Sequence, residues 1–267
     1  MPNEPVVGEP VDKPLDNDGG ENVISAQLRR LEHLLSPELR LAKSVAEGLL
    51  PAWKRVTQFE PRWPVSLTLG TAIALQIILP RRLTLHPHWL LPALQGVLLV
   101  ALISVDPRKR ASHEPILRVG RLAMIAVVTL ANAVSAGLLI TRLLHGKEGV
   151  DAWPLLRNGG AIWLTNVIAF ALWYWQFDRG GPFERAQAMR QFPDFAFPQM
   201  QQPELAPADW ESSFFDYLYV SFTNATAFSP TDTLPLTVRA KMTMMLQSAV
   251  SLATVALVIA RAVNILK

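Results

Sequence analysis

Five apolar stretches, Trp63 to Pro80, Trp89 to Val105, Val119 to Leu144, Gly159 to Phe177 and about Met242 to Asn264, constrain this chain more than any other feature. Each approaches the roughly 20 residues that a helix needs to cross a hydrocarbon core. Their ends carry interfacial residues: Trp63 and Arg81-Arg82 flank the first, Asp106-Pro107-Arg108-Lys109-Arg110 closes the second, and Trp173-Tyr174-Trp175 ends the fourth. With 50% hydrophobic and 18% charged residues in 267, the expected solvent is a bilayer. The expected fold is therefore all-α, a polytopic transmembrane helical bundle of five clear spans.

The rest of the chain divides around those spans. Residues 1–22 are acidic and rich in Pro and Gly, a composition that predicts a disordered tail, and they lack the basic start and apolar run of a signal peptide. From Val23 to about residue 60, Ile24, Leu28, Leu31, Leu34 and Leu35, then Leu39, Leu41, Val45, Leu49 and Leu50, recur at helical spacing with Arg29, Arg30, Arg40 and Lys43 among them. This predicts amphipathic helices that lie on the membrane or dock a partner. The first three spans occupy 61–145. The fourth span, a polar proline-rich loop from Asp178 to Ser213 and a C-terminal module fill 146–267.

Lys54, Arg55, Arg62, Arg118 and Arg121 favour one side of the membrane, which places the N-terminus in the cytoplasm by the positive-inside rule. The expected location is an inner, or plasma, membrane with multiple passes. No cysteine is present, so disulfide, zinc-thiolate and cysteine-nucleophile chemistry is excluded. The net charge of +3 sits beside apolar stretches and suits lipid headgroups rather than nucleic acid. His86-Pro87-His88 reads as an interfacial pair rather than a metal site, and no phosphate loop, nucleophile elbow or paired intramembrane carboxylate points to an enzyme or a cofactor. The expected partners are the bilayer and further copies of the chain, with no small ligand identified. Asn132, Asn166 and Gln247 lie within apolar spans and are expected to pack polar groups between helices.

Phe214 to Phe228 is shorter than a span and carries Asp216, Ser221, Thr223, Asn224 and Thr226. It reads equally as a short sixth crossing or as a re-entrant helix. Asp216, Leu218, Tyr219, Ser221, Phe222, Thr226, Asp232, Pro235 and Thr237 follow, without a gap, the pore-helix, filter and inner-helix pattern of the potassium-channel superfamily, which this stretch resembles. The resemblance implies that Gly159 to Phe177 is an outer helix and Asp178 to Ser213 a turret. Where that family has Thr-Val-Gly-Tyr-Gly, this chain has Ala227-Phe228-Ser229-Pro230-Thr231. Both glycine places are filled and a proline stands between them, which argues against a carbonyl-lined potassium filter. The outline resembles uncharacterised bacterial inner-membrane proteins with a degenerate form of that module. It implies a non-selective or non-conducting channel relative, with Thr223, Asn224, Thr226, Ser229, Thr231 and Asp232 as pore or cavity candidates. The alternative is a structural or regulatory membrane protein that acts by helix association.

Overall fold

A computed structural model describes residues 51–57, 60–104, 110–146, 151–227 and 232–266. The expectations for the acidic tail, for the amphipathic stretch up to residue 50, and for Ser229 and Thr231 lie outside the described residues. Eight α-helices are described: α1 Trp63–Ile78, α2 Leu90–Ser104, α3 Arg110–Leu144, α4 Ala152–Phe177, α5 Pro182–Ala186, α6 Pro198–Gln201, α7 Phe214–Ala227 and α8 Val238–Leu266. Two short strands, β1 Phe195–Ala196 and β2 Leu234–Pro235, pair antiparallel with Phe195 opposite Pro235. The protein is predominantly helical.

Three helical stretches, Pro115–Leu144, Ala152–Gly180 and Val238–Ile265, are long and apolar enough to cross a membrane. The first two apolar runs give shorter helices of 16 and 15 residues, so five full-length spans are not seen. One cause is local. Leu79 stands before Pro80, whose ring disfavours helical backbone in its predecessor, and Leu79 is extended with ψ 139°. Pro64, near the start of α1, costs no intrahelical hydrogen bond there.

Helix α4 is the centre of the molecule. It packs against α1, α3, α7 and α8, and its residues from Ala161 to Gln176 are almost all buried. A helix apolar on every face needs such a position. Beside Asn158 and Asn166, Gly159 lets α8 approach closely: a Cβ at Gly159 would lie 2.7 Å from a Val258 methyl. Small residues at helix crossings act this way in membrane bundles.

Helix α4 ends in a sharp Asp178-Arg179-Gly180-Gly181-Pro182 turn. Gly180 and Gly181 have φ of +84° and +108°, backbone that a side chain rarely adopts. Arg179 adopts φ +49° without being glycine, and is held by hydrogen bonds described below.

The path of α7 follows from what touches its ends. Its first turn lies at the Asp178 end of α4: the Phe214 N–H donates to the Glu60 carboxylate, whose other oxygen accepts from Trp175 Nε1 at 2.8 Å. The Tyr217 hydroxyl donates to Asp178 at 2.6 Å. Phe195 N–H also donates to Asp178, and Phe195 pairs with Pro235, just before α8 begins. The chain therefore leaves the Asp178 end along α7, returns to it by β2, and leaves again along α8, with α7 and α8 running side by side. At 14 residues, α7 reaches about 21 Å, roughly half the length of α4. Ser213 and Asp216 start the helix: the Asp216 carboxylate accepts from the Ser213 N–H at 2.7 Å and from its hydroxyl at 2.9 Å.

Candidate functional site

The polar residues of the C-terminal module meet in one buried network centred on Gln247. Its Oε1 accepts hydrogen bonds from the Tyr174 hydroxyl and from Asn224 Nδ2, the latter at 2.8 Å. Its Nε2 donates to the Ser221 carbonyl at 2.9 Å and to the Ser221 hydroxyl oxygen at 2.7 Å. The Ser221 hydroxyl passes its own proton to the Val167 carbonyl at 2.7 Å. Around this hub, Asn224 Nδ2 also donates to the Met244 carbonyl at 3.1 Å, Ser248 donates to Asn224 Oδ1 at 3.2 Å, and Asn166 Nδ2 donates to Ser251 Oγ at 3.0 Å. Gln247, Ser221 and Ser251 have no exposed surface.

Each capacity of the Gln247 amide is thus used, two donor hydrogens and two acceptor sites, by α4, α7 and α8 together. Buried amides that meet this condition fix a unique packing, because any shift of one helix leaves polar groups without partners. Asn166, Asn224 and Gln247, singled out from the sequence, come together here. Tyr174, Ser248 and Ser251 were missed, and Ser221 stood out only as a polar residue of the short helix. The polar stripe Gln247-Ser248 and Ser251 in an apolar span, one helical turn apart, was the signal that could have found two of these partners.

The remaining pore or cavity candidates lie elsewhere. The Thr223 hydroxyl donates to the Tyr219 and Val220 carbonyls, and the Thr226 hydroxyl to the Phe222 and Thr223 carbonyls, so both are bonded within α7 itself. Thr226 is exposed on the flank away from the hub. Asp232 is also exposed, and its carbonyl accepts from Gln201 Nε2 at 3.2 Å, which makes it part of the loop packing near β1. Asn132 is buried in α3, and its Oδ1 has no hydrogen-bond partner among the described residues.

A second polar cluster ties the long loop to the helix ends. Asp178, with no exposed surface, accepts from Asp194 N–H at 2.7 Å and from Tyr217. Asp194 in turn accepts from the Arg179 N–H at 3.1 Å, from Thr237 Oγ1 at 2.7 Å and from Arg239, whose Nη2 lies 3.0 Å from each of its oxygens. The Arg179 guanidinium donates to the Trp53 carbonyl and to Ser212. Arg185 donates to the Asp178 carbonyl at 3.2 Å and lies over the Tyr217 ring, 5.0 Å from its centroid. The loop from Asp178 to Ser213 is thus a clamp. It holds the start of α7, the return strand and the start of α8 on the end of α4.

Beside this clamp, Glu211 accepts from Thr57 Oγ1 at 2.8 Å. Partial burial pushes its carboxyl above the usual range, against the opposing pull of that hydrogen bond and of Arg179, Arg55 and Arg185. No protein-family model, curated protein or solved structure matches the chain.

Proposed function

We propose that this chain is a multi-pass membrane protein that works by helix association, and that its C-terminal module is a re-entrant scaffold closed by hydrogen bonds instead of a conducting pore. The observation that carries this reading is the Gln247 network. The polar side chains that a pore would present to ions, Ser221 and Asn224 on α7 and Gln247 on α8, point at one another and at Tyr174. In this reading α1 to α4 and α8 cross the membrane, with α1 and α2 meeting a locally thinned bilayer, and α7 enters and returns on one side.

Basic residues gather at the Asp178 end, among them Arg62, Arg118, Arg121, Arg185 and Arg239, so that end faces the cytoplasm by the positive-inside rule. The re-entrant helix would then enter from the cytoplasm, opposite in direction to the module it resembles in potassium channels. The exposed apolar flank of α7 and α8, Phe215, Tyr219, Phe222, Met242 and Met245, faces lipid or another membrane helix. A second reading rests on Thr226: its exposed position at the far end of α7 is where copies of the chain would have to meet to line a shared cation path.

Cation flux through proteoliposomes separates the two readings. The scaffold predicts flux no greater than in protein-free vesicles. Flux that disappears in a Thr226→Trp variant would overturn it in favour of a path between copies.

A further inference from the structure

The first three helices hold a polar pair unlike the Gln247 hub. Gln76 on α1 and Gln95 on α2 are buried, at 5% and 0% exposure, and share one hydrogen bond, from Gln95 Nε2 to Gln76 Oε1 at 2.9 Å. Gln76 Nε2 and Gln95 Oε1 find no partner among the described residues, and neither does Asn132 Oδ1 on α3. Exchanging oxygen and nitrogen in both amides does not remove the problem, since two amides joined by one bond always leave a donor on one and an acceptor on the other. Leaving such groups dry carries the full penalty of their lost hydration.

A cavity lies against Gln76, while its partner Gln95 and the neighbour of Ala131, Asn132, stand outside the lining. Leu91, Pro92, Ala131 and Ser135 line it together with Thr84 and the exposed His88. Ser135 is one turn along α3 from Asn132, on the same face. The internal volume is about 10 Å³, close to the space one water requires. Water also has the chemistry that the unpartnered atoms demand, because it accepts from Gln76 Nε2 and donates to Gln95 Oε1 or Asn132 Oδ1.

We propose that Gln76 and Ser135 line an internal water-binding slot, completed by the Gln95 and Asn132 amides behind them and filled from the Thr84 and His88 end, and that this slot is a hydrated polar site of the bundle. It rests on the membrane reading only for its setting, since the unpaired amides and the cavity stand by themselves. The slot, in place of the C-terminal module, is then where water enters between the helices.

Water-edited solid-state NMR on protein in lipid bilayers, with ¹⁵N-labelled glutamine, tests this directly. The Gln76→Leu and Gln95→Leu variants identify the two side-chain signals by their loss. The slot predicts that the Gln76 and Gln95 amides gain magnetisation from water several-fold faster than the Gln247 amide and nearly as fast as the exposed Gln202. Build-up as slow as that of Gln247 overturns it. In a second sample labelled at leucine and valine, transfer from lipid acyl chains to the exposed Leu94, Val97 and Val100 tests the membrane reading separately. Fast water transfer without acyl-chain contact would keep the slot and sink that reading.

Discussion

The two polar interiors of this protein use the same side chain in opposite ways. In the C-terminal half, Gln247 meets Tyr174, Asn224 and Ser221 with every donor and acceptor used. In the N-terminal half, Gln76 and Gln95 share a single bond and leave a donor and an acceptor over beside a cavity. A complete network specifies one packing, whereas an incomplete one needs a guest. Polarity inside an apolar bundle therefore does not by itself mark a path for ions or water. The count of unmet hydrogen bonds separates the two cases.

The largest expected effect comes from breaking the complete network. Gln247→Leu leaves the Tyr174 hydroxyl, an Asn224 hydrogen and the Ser221 groups without their partner, and should cost at least about 3 kcal/mol in reversible detergent unfolding. A loss under about 1 kcal/mol would mean that the network is not closed in the membrane. Gly159→Ala comes next. Its new methyl meets the stiff Val258 side chain, and the loss should be about 1–3 kcal/mol. Adding Val258→Ala should restore part of that stability, and no restoration would contradict the close α4 to α8 approach.

Replacing both members of the incomplete pair should matter far less. The Gln76→Leu/Gln95→Leu double variant removes the shared bond together with both unmet groups, and should unfold within about 1 kcal/mol of the parent. A loss as large as that of Gln247→Leu would erase the contrast between the halves.

The smallest effect is a pH dependence at the clamp. The folded protein raises the Glu211 pKa by burial, so it favours the neutral acid. Above that raised value the half-buried charge opposes folding. The opposition fades as pH falls through the raised value towards the ordinary carboxylate range, so Glu211 makes the fold relatively more stable on mild acidification. Glu211→Gln should flatten this part of the stability curve against pH, measured as the difference between variant and parent. An unchanged slope would show that Glu211 does not contribute to it.

The apolar runs made the helices legible, because twenty-residue hydrophobic stretches have few other outcomes. They overstated the first two, where Pro80 and the segment before Leu90 shorten the helices. Asn166, Asn224 and Gln247 stood out as polar residues in apolar surroundings, yet nothing in their separate positions said that they share one network. The hydrogen bonds join residues 20 to 85 positions apart, and periodicity along one helix does not report on such pairs. The clamp was hidden for the same reason. Asp178 and Asp194 are loop residues in the sequence, and only the fold brings Tyr217, Thr237 and Arg239 to them. The turn itself was visible in Gly180-Gly181-Pro182, since glycine and proline act locally.

Whether α7 enters and leaves on one side is the claim on which the scaffold depends, and the absence of native cysteines makes it directly measurable. Single cysteines at Ala208, before α7, and at Asp232, after it, should react with a membrane-impermeant thiol reagent from the same face of sealed vesicles. A cysteine at Gly146, between α3 and α4, should react from the opposite face. Labelling of the Ala208 and Asp232 positions from opposite faces would contradict the account.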